Sequence, residues 1–367
     1  MELTYQQKKV INATEPFIMC VAAAGSAKTT VLTERIRLLL TERNVKAEDI
    51  VAITLTNLAA EEMKKRLGDI CYGAFIGTIH SYANQICIGA GIDTSEFVDT
   101  MNFDKILEKA LTIPDSRYPY VEYLLLDECQ DCSVEDYRVI RKIHYANFFL
   151  VGDCRQTIYN FRGAYVNNFY NYYNDPNFAK YYLTKNFRCP PNILDYANKF
   201  VEDMKNTGPQ AEAVKTENGI LEKMSFSEAL EEIEDAQHFG NWAIVCRTNA
   251  DIEEAERRLK AKEIPFLTFR SCDFNLEELD ALLKQDVVKI LTAHSSKGRQ
   301  FKNVIAVGMR SSNDEENRIS YVAATRTENN LFWCPKIATG PKTKQERQPM
   351  PTASMKVIEA KKSIISF

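Results

Sequence analysis

Histidine and tryptophan are scarce in this chain, with four and two copies among 367 residues. Four scattered histidines do not make an evident metal cluster. The ten cysteines do not replace them, because all but Cys129 and Cys132 stand alone in apolar segments. That single C-x-x-C is flanked by acidic residues and has no second pair, so reduced thiols are expected rather than zinc or a redox centre. Long apolar runs are missing too. Nothing approaches the roughly 20 residues of a membrane span, and the opening MELTYQQKKV lacks the apolar core of a secretion signal. An intracellular protein without membrane contact is expected. There is little charge excess either: 46 Lys and Arg against 50 Asp and Glu leave a net charge of −4. A polybasic coat is excluded, and any nucleic-acid surface must be local.

What is present is a chain long enough for two packed domains, 45% hydrophobic and 26% charged. Short apolar runs rich in Val, Ile, Leu and Phe alternate with amphipathic, charged stretches, the pattern of buried parallel strands joined by crossover helices. Strands are predicted at 17–21, 50–54, 123–127 and 147–152. After residue 185 the alternation restarts, with strands at 242–246, 287–292 and 303–308 and a solvated helix at 251–262. The boundary between two α/β units falls near 183–190. Between them, the aromatic stretch YVNNFYNYYNDPNFAKYY (165–182) reads as packing surface. From Pro335 the periodicity is lost, as in a tail.

The first unit carries a loop of definite chemistry. CVAAAGSAKTTVL (20–32) follows a predicted strand and opens a helix. In a phosphate-binding loop, backbone N–H groups and a helix N-terminus converge on phosphate oxygens, a lysine reaches the terminal phosphates and a hydroxyl holds Mg²⁺. Gly25, Lys28 and Thr29 supply the glycine, the charge and the hydroxyl. The stretch from Ala24 through Ser26 and Ala27 to Thr30 is the expected cradle, although alanine at 22, 23 and 27 leaves the match degenerate. YLLLDECQD then sets Asp127 and Glu128 at the tip of a buried strand, one carboxylate for the metal and one for water. A further strand ends in VGDCRQTIYNFRGA, which sets Asp153 and Gln156 beside the same phosphate end.

Ten segments in order carry a resemblance: LTYQQ (3–7), AAAGSAKTT (22–30), ITLTNLAAEEMKKRL (53–67), GTIHS (77–81), LLLDECQD (124–131), VGDCRQTIYNFRGA (151–164), LTKNFRCP (183–190), VCRTNA (245–250), LTAHSSKGRQFKNVIAVGM (291–309) and YVAATRTENNLF (321–332). The chain resembles the UvrD/Rep/PcrA-type superfamily 1A DNA helicases over nearly all of residues 3–332. The resemblance implies an α/β fold of two RecA-like P-loop NTPase domains with parallel sheets and minimal accessory insertions. The N-terminal domain would span 1–184 with a short insertion at about 82–120. The C-terminal domain would span 185–335 with one at about 251–286, followed by a tail at 336–367.

It also implies roles. ATP and Mg²⁺ would be the cofactors. Gln7 would read the adenine edge, Lys28 and Thr29 the phosphates and metal, Asp127 the metal, and Glu128 the attacking water, while Gln156 would sense the γ-phosphate. Phe187 would stack on the base, and Arg188 and Arg326 would be arginine fingers. Gln300 stands where the family places a glutamate near the sugar, which leaves ribose recognition open, and Phe187 replaces a tyrosine. Thr56, Asn57, Thr78, His80 and Ser81 would grip single-stranded DNA from the first domain, Thr292, His294 and Lys297 from the second. Tyr159, Phe161 and Arg162 would add stacking and cation–π surfaces. Leu58 and Ile79 stand where the family has a lysine and an aromatic, so some strand contacts are thinner. A monomeric motor moving 3′ to 5′ on single strands and at duplex junctions, working with an accessory protein, is the expected function. A nucleotide-dependent DNA-binding or scaffold protein with weak or no turnover is the alternative, favoured by the degenerate loop and the missing insertions and opposed by the intact Lys28, Glu128, Gln156, Arg188 and Arg326.

Overall fold

The computed structural model describes residues 2–159, 166–204, 208–269 and 276–336. Strands Phe17–Ala22 (β1), Ile50–Thr54 (β2), Phe75–Thr78 (β3), Tyr120–Leu126 (β4), His144–Gly152 (β5) and Ala179–Leu183 (β6) form a parallel sheet in the order β3-β2-β4-β5-β1-β6. A short parallel pair, Lys185–Asn186 (β7) and Glu212–Ala213 (β8), follows. Leu221–Lys223 (β9), Trp242–Cys246 (β10), Phe266–Phe269 (β11), Val288–Thr292 (β12), Phe301–Val307 (β13) and Thr327–Cys334 (β14) make a second parallel sheet, ordered β11-β12-β10-β13-β14-β9. The helices are Tyr5–Ile11 (α1), Lys28–Thr41 (α2), Asn57–Leu67 (α3), Ile79–Gly89 (α4), Ser95–Asp99 (α5), Phe103–Thr112 (α6), Val134–Lys142 (α7), Val166–Tyr173 (α8), Pro191–Asn198 (α9), Phe226–Glu234 (α10), Asn249–Ala261 (α11), Leu276–Leu283 (α12) and Asp314–Ala324 (α13).

Parallel strands need both faces covered, and their alternating residues divide accordingly. In the first sheet Met19, Val21, Val51, Ile53, Leu124 and Leu126 face α4, α6 and α7. Ile18, Cys20, Ala52, Leu125, Phe149 and Val151 face α1, α2 and α3. In the second, Ala243, Val245, Leu291, Val304 and Ala306 pack with α9 and α13, and Ile244, Cys246, Ile290, Ile305 and Val307 with α10 and α11. Ala24 and Ile158 of the first unit join the former cluster, with Leu58 and Tyr159 packed against it, so the two sheets share apolar contacts.

The expected strands are present, and several are longer at their starts: β4 begins at Tyr120 and β5 at His144. β3, β6, β9, β11 and β14 were not among them. They are short, edge-placed or open on polar residues, as Thr-Glu-Asn-Asn does in β14. The aromatic stretch does pack, with Phe169 buried and Tyr170, Tyr172 and Tyr173 against the first core. Both short insertions continue the layers. Residues 82–120 hold most of α4 with α5 and α6, whose Ile86, Cys87, Ile106, Leu107 and Ala110 lie in the first core, and residues 251–286 hold most of α11 with β11 and α12. The nine cysteines among the described residues are free thiols. The expected tail lies outside the described residues beyond Lys336.

Candidate nucleotide and strand-binding site

The C-terminal ends of parallel strands are where an α/β sheet presents its loops. The stretch 23–27 follows β1, Asp127 and Glu128 follow β4, and Asp153 with Gln156 follows β5, so three separate sequence segments meet at one edge. α2 starts directly after the loop with no side-chain cap on its first N–H groups, the arrangement that accepts an anion. Gly25 (φ +69°) and Ala27 (φ 61°, ψ 46°) are both left-handed. For alanine this conformation costs roughly 1–2 kcal/mol, so the missing glycine at 27 is felt as backbone strain. The buried Ser26 hydroxyl has no hydrogen-bond partner, and Gln7 donates from Nε2 to the Ser26 carbonyl at 3.1 Å. Gln7 is therefore tied to the loop itself.

The carboxylates form a charged network. Lys28 Nζ lies 2.9 Å from Glu128 Oε1 and Lys297 Nζ 3.5 Å from Glu128 Oε2. Burial alone would raise the Glu128 carboxyl, but the two ammoniums more than offset it and hold it well below the usual range. Burial, with Glu128 next to it, raises Asp127. Lys297 also donates to Asp131 and, at 2.9 Å, to the Gln156 carbonyl. Gln130 ties the two acidic segments together: Nε2 donates to Glu128 and Asp131, and Oε1 accepts from the Asp153 N–H at 3.0 Å. Gln156 Nε2 donates to Asp153 at 2.9 Å.

Two guanidiniums from the far side of the cleft complete the picture. Arg326, at the end of α13, donates from Nη2 to Gln156 Oε1 at 3.3 Å. Arg188 donates to Gln300 Oε1 at 3.0 Å and to the Thr325 carbonyl at 2.8 Å. Burial, and then the neighbouring Arg188, lower Arg326 to about 9. Burial lowers Arg188 as well. Among the described residues neither has a carboxylate within ion-pair distance; Arg326 is buried and Arg188 half-buried, cations that a polyphosphate would pair with. The donor set fits a nucleoside triphosphate with a divalent cation: free helix N–H groups, an unpartnered Ser26 hydroxyl, and the hard oxygens of Thr29 and Asp127 that suit Mg²⁺. Phe187 is half-buried, with its N–H on the Gly25 carbonyl at 3.0 Å.

The expected strand contacts divide. Thr56 caps α3 and Thr78 caps α4, each accepting a backbone N–H, and Thr78 shares a 2.9 Å hydrogen bond with Ser81. Asn57 and Ser81 are exposed and His80 half-buried, beside the Phe103 ring. Thr292 accepts from Ser295, and the His294 carbonyl accepts from the Tyr159 hydroxyl at 3.2 Å. Lys297 is the displaced one. It lies under the acidic network with its ammonium 5.5 Å from the Tyr159 ring, so it joins the loop after β12 to the carboxylates instead of facing solvent. Spacing carried no signal for that partnership. Phe161 and Arg162 lie outside the described residues. Ile79, in the aromatic's usual place, is buried in the first core.

Comparison with known proteins gives the family. A model of the UvrD/REP helicase N-terminal domain matches residues 3–103 and 92–177, and one of the UvrD-like helicase C-terminal domain matches 181–278. The ATP-dependent DNA helicase PcrA of Leuconostoc citreum is 27% identical over 367 residues, covering 71% of this chain and 49% of that protein. The Gabija protein GajB of Bacillus cereus (strain VD045) is 27% identical over 323 residues, covering 74% of this chain and 65% of its own. A PcrA of Staphylococcus epidermidis is 24% identical over 365 residues, with 71% and 50% covered. The chain thus spans about half the length of the PcrA proteins it matches. With two adjacent domain models in family order and the loop, acidic strand and arginines gathered in one cleft, this chain belongs to the UvrD-like helicase family, with its two parallel sheets as the family's RecA-like domains.

Proposed function

We propose that the chain is an ATP-driven motor that moves 3′ to 5′ along single-stranded DNA, with hydrolysis coupled to closure of the cleft between the two sheets. The observation that carries the reading is Lys297. It starts from the loop after β12, where Thr292 and His294 are placed, and ends on Glu128, Asp131 and the Gln156 carbonyl. One side chain thus spans the strand-facing loop and the hydrolytic carboxylate.

The chemistry follows from the charges. A base must be able to take a proton, and Glu128 between two ammoniums is a poor one. Lys28 would exchange the carboxylate for the β- and γ-phosphates, since both lie within its reach at the head of α2. Lys297 would be drawn off when a strand binds beside Thr292 and His294. Glu128 then faces a water with its basicity restored. Mg²⁺, held by Thr29 and Asp127, would supply charge neutralisation between the phosphates. Arg326, between α13 and β14 of the second sheet, and Arg188, on the strap after β7, would stabilise charge as it develops on the γ-phosphate, while Gln156, already bonded to Arg326, reports its presence. Because Arg326 and the loop belong to different sheets, the site would be complete only when the cleft closes.

Direction is tested by streptavidin displacement from single strands biotinylated at either end. The reading expects ATP-dependent release from the 5′ end and none above background from the 3′ end. Equal release, or the reverse, contradicts it. A scaffold without turnover has the strained Ala27 in its favour, but Arg326 already bonded to Gln156 beside the carboxylates supports hydrolysis.

A further inference from the structure

We propose that Asn186 is a positioning residue that couples the nucleotide loop to the Arg188 guanidinium, so that the state of the loop sets the arginine. The inference rests on the reading of the site as an ATPase and adds to it the route by which loop and arginine are joined.

Asn186 is fully buried at the end of β7, where the chain passes from the first sheet toward the second. Its carboxamide works in both directions. Nδ2 donates to the Ala24 carbonyl at 2.7 Å, within the nucleotide loop. Oδ1 accepts from the Arg188 N–H at 2.9 Å and the Cys189 N–H at 2.7 Å, turning the backbone that carries the arginine. One rigid amide therefore holds the loop at one end and the arginine's backbone at the other. The fit is close enough to dictate a second residue. A Cβ on Gly25 would lie 2.7 Å from Asn186 Nδ2, 2.9 Å from Cγ and 3.1 Å from Arg188 Cβ. Gly25 is thus glycine for its left-handed φ and also because Asn186 occupies the space where its side chain would go. The adjoining bond from the Phe187 N–H to the Gly25 carbonyl, at 3.0 Å, runs alongside and binds the same two segments. A phosphate that reorients the Ala24–Gly25 peptides would move Asn186 and, through Oδ1, the Arg188 backbone. No other side chain among those described bonds both the loop and the Arg188 N–H.

A double-mutant cycle on the full chain separates coupling from mere support. ATPase kcat and KM are measured for wild type, Asn186→Ala, Arg188→Ala and the pair, with binding of a fluorescent ATP analogue and thermal unfolding as controls. If Asn186 acts through Arg188, Asn186→Ala lowers kcat by about tenfold in the wild-type background and less than about twofold once Arg188 is gone. Additive losses, or a loss confined to KM, would overturn the proposal. Should Asn186→Ala fail to fold, Asn186→Asp takes its place in the cycle. It keeps the acceptor bonds from the Arg188 and Cys189 N–H groups and cuts the tie to Ala24, so its kcat should fall in the wild-type background and change less than about twofold once Arg188 is gone. A loss of equal size with and without Arg188 would count against the assignment. A wild-type chain that binds the analogue but never hydrolyses ATP removes the ATPase reading and the coupling with it. A normal wild type with additive mutants removes the coupling alone.

Discussion

Ala27 and Glu128 are the two left-handed, non-glycine residues at the nucleotide site, and each makes a separate claim about it. Ala27 is strain without a polar return, since its methyl makes no hydrogen bond. Ala27→Gly removes the left-handed penalty and gives back some unfolded-state entropy, for a net gain of about 1 kcal/mol. A rise in melting temperature of roughly 2 °C is expected, with ATP bound as tightly as before or more tightly. Glu128, by contrast, turns its carboxylate onto Lys28. Glu128→Gln keeps the shape but cannot take a proton, so nucleotide binding should persist while kcat falls by about 100-fold or more. A variant retaining a tenth of wild-type turnover would move the catalytic base elsewhere. Residues of this kind were the most legible part of the sequence, because a lysine after a strand or two acids at a strand tip carry their chemistry in their type. Lys297 and Asn186 were not legible as parts of this site. The partners that bring them here, Glu128, Asp131 and Gln156 for Lys297 and Ala24 for Asn186, lie more than a hundred residues away, and no local pattern announces such a contact.

Among the elements, the central strands were readable because parallel strands buried on both faces are almost wholly apolar, as Ile50–Thr54 is up to its final threonine. The edge strands β6, β9 and β11 gave weaker signals, since a half-covered strand needs fewer apolar residues. Helix starts tell structural from functional caps. Thr78 caps α4 and belongs to the proposed strand grip, whereas Ser225 caps α10 through a capping box and carries no such role. Thr78→Ala and Ser225→Ala should each cost about 1 kcal/mol of stability, but only Thr78→Ala should weaken single-strand affinity, measured by fluorescence anisotropy at fixed salt. Equal affinities would return Thr78 to a purely structural part. The loop after β12 has its own test. Lys297→Met cuts the tie between strand contact and Glu128, so the ratio of DNA-stimulated to basal turnover should fall toward one.

At the scale of the molecule, the two short insertions are absorbed into the sheets' own layers, which leaves the described residues without a separate body to hold a duplex at a fork. The proposed grip on a single strand belongs to loops that are present. Unwinding by one chain in a single-turnover assay with a trap should therefore be weak, and should improve with several chains per 3′ tail or with a partner protein. Efficient separation of long duplexes by a single copy would show that these layers suffice. The central claim is more basic: strand binding at one loop releases the base at another. It is tested most directly by steady-state ATPase with and without saturating single-stranded DNA, with Glu128→Gln as the blank. The account predicts slow basal turnover, stimulated by about tenfold or more. Hydrolysis indifferent to DNA, or nucleotide held and never cleaved in either condition, would contradict it.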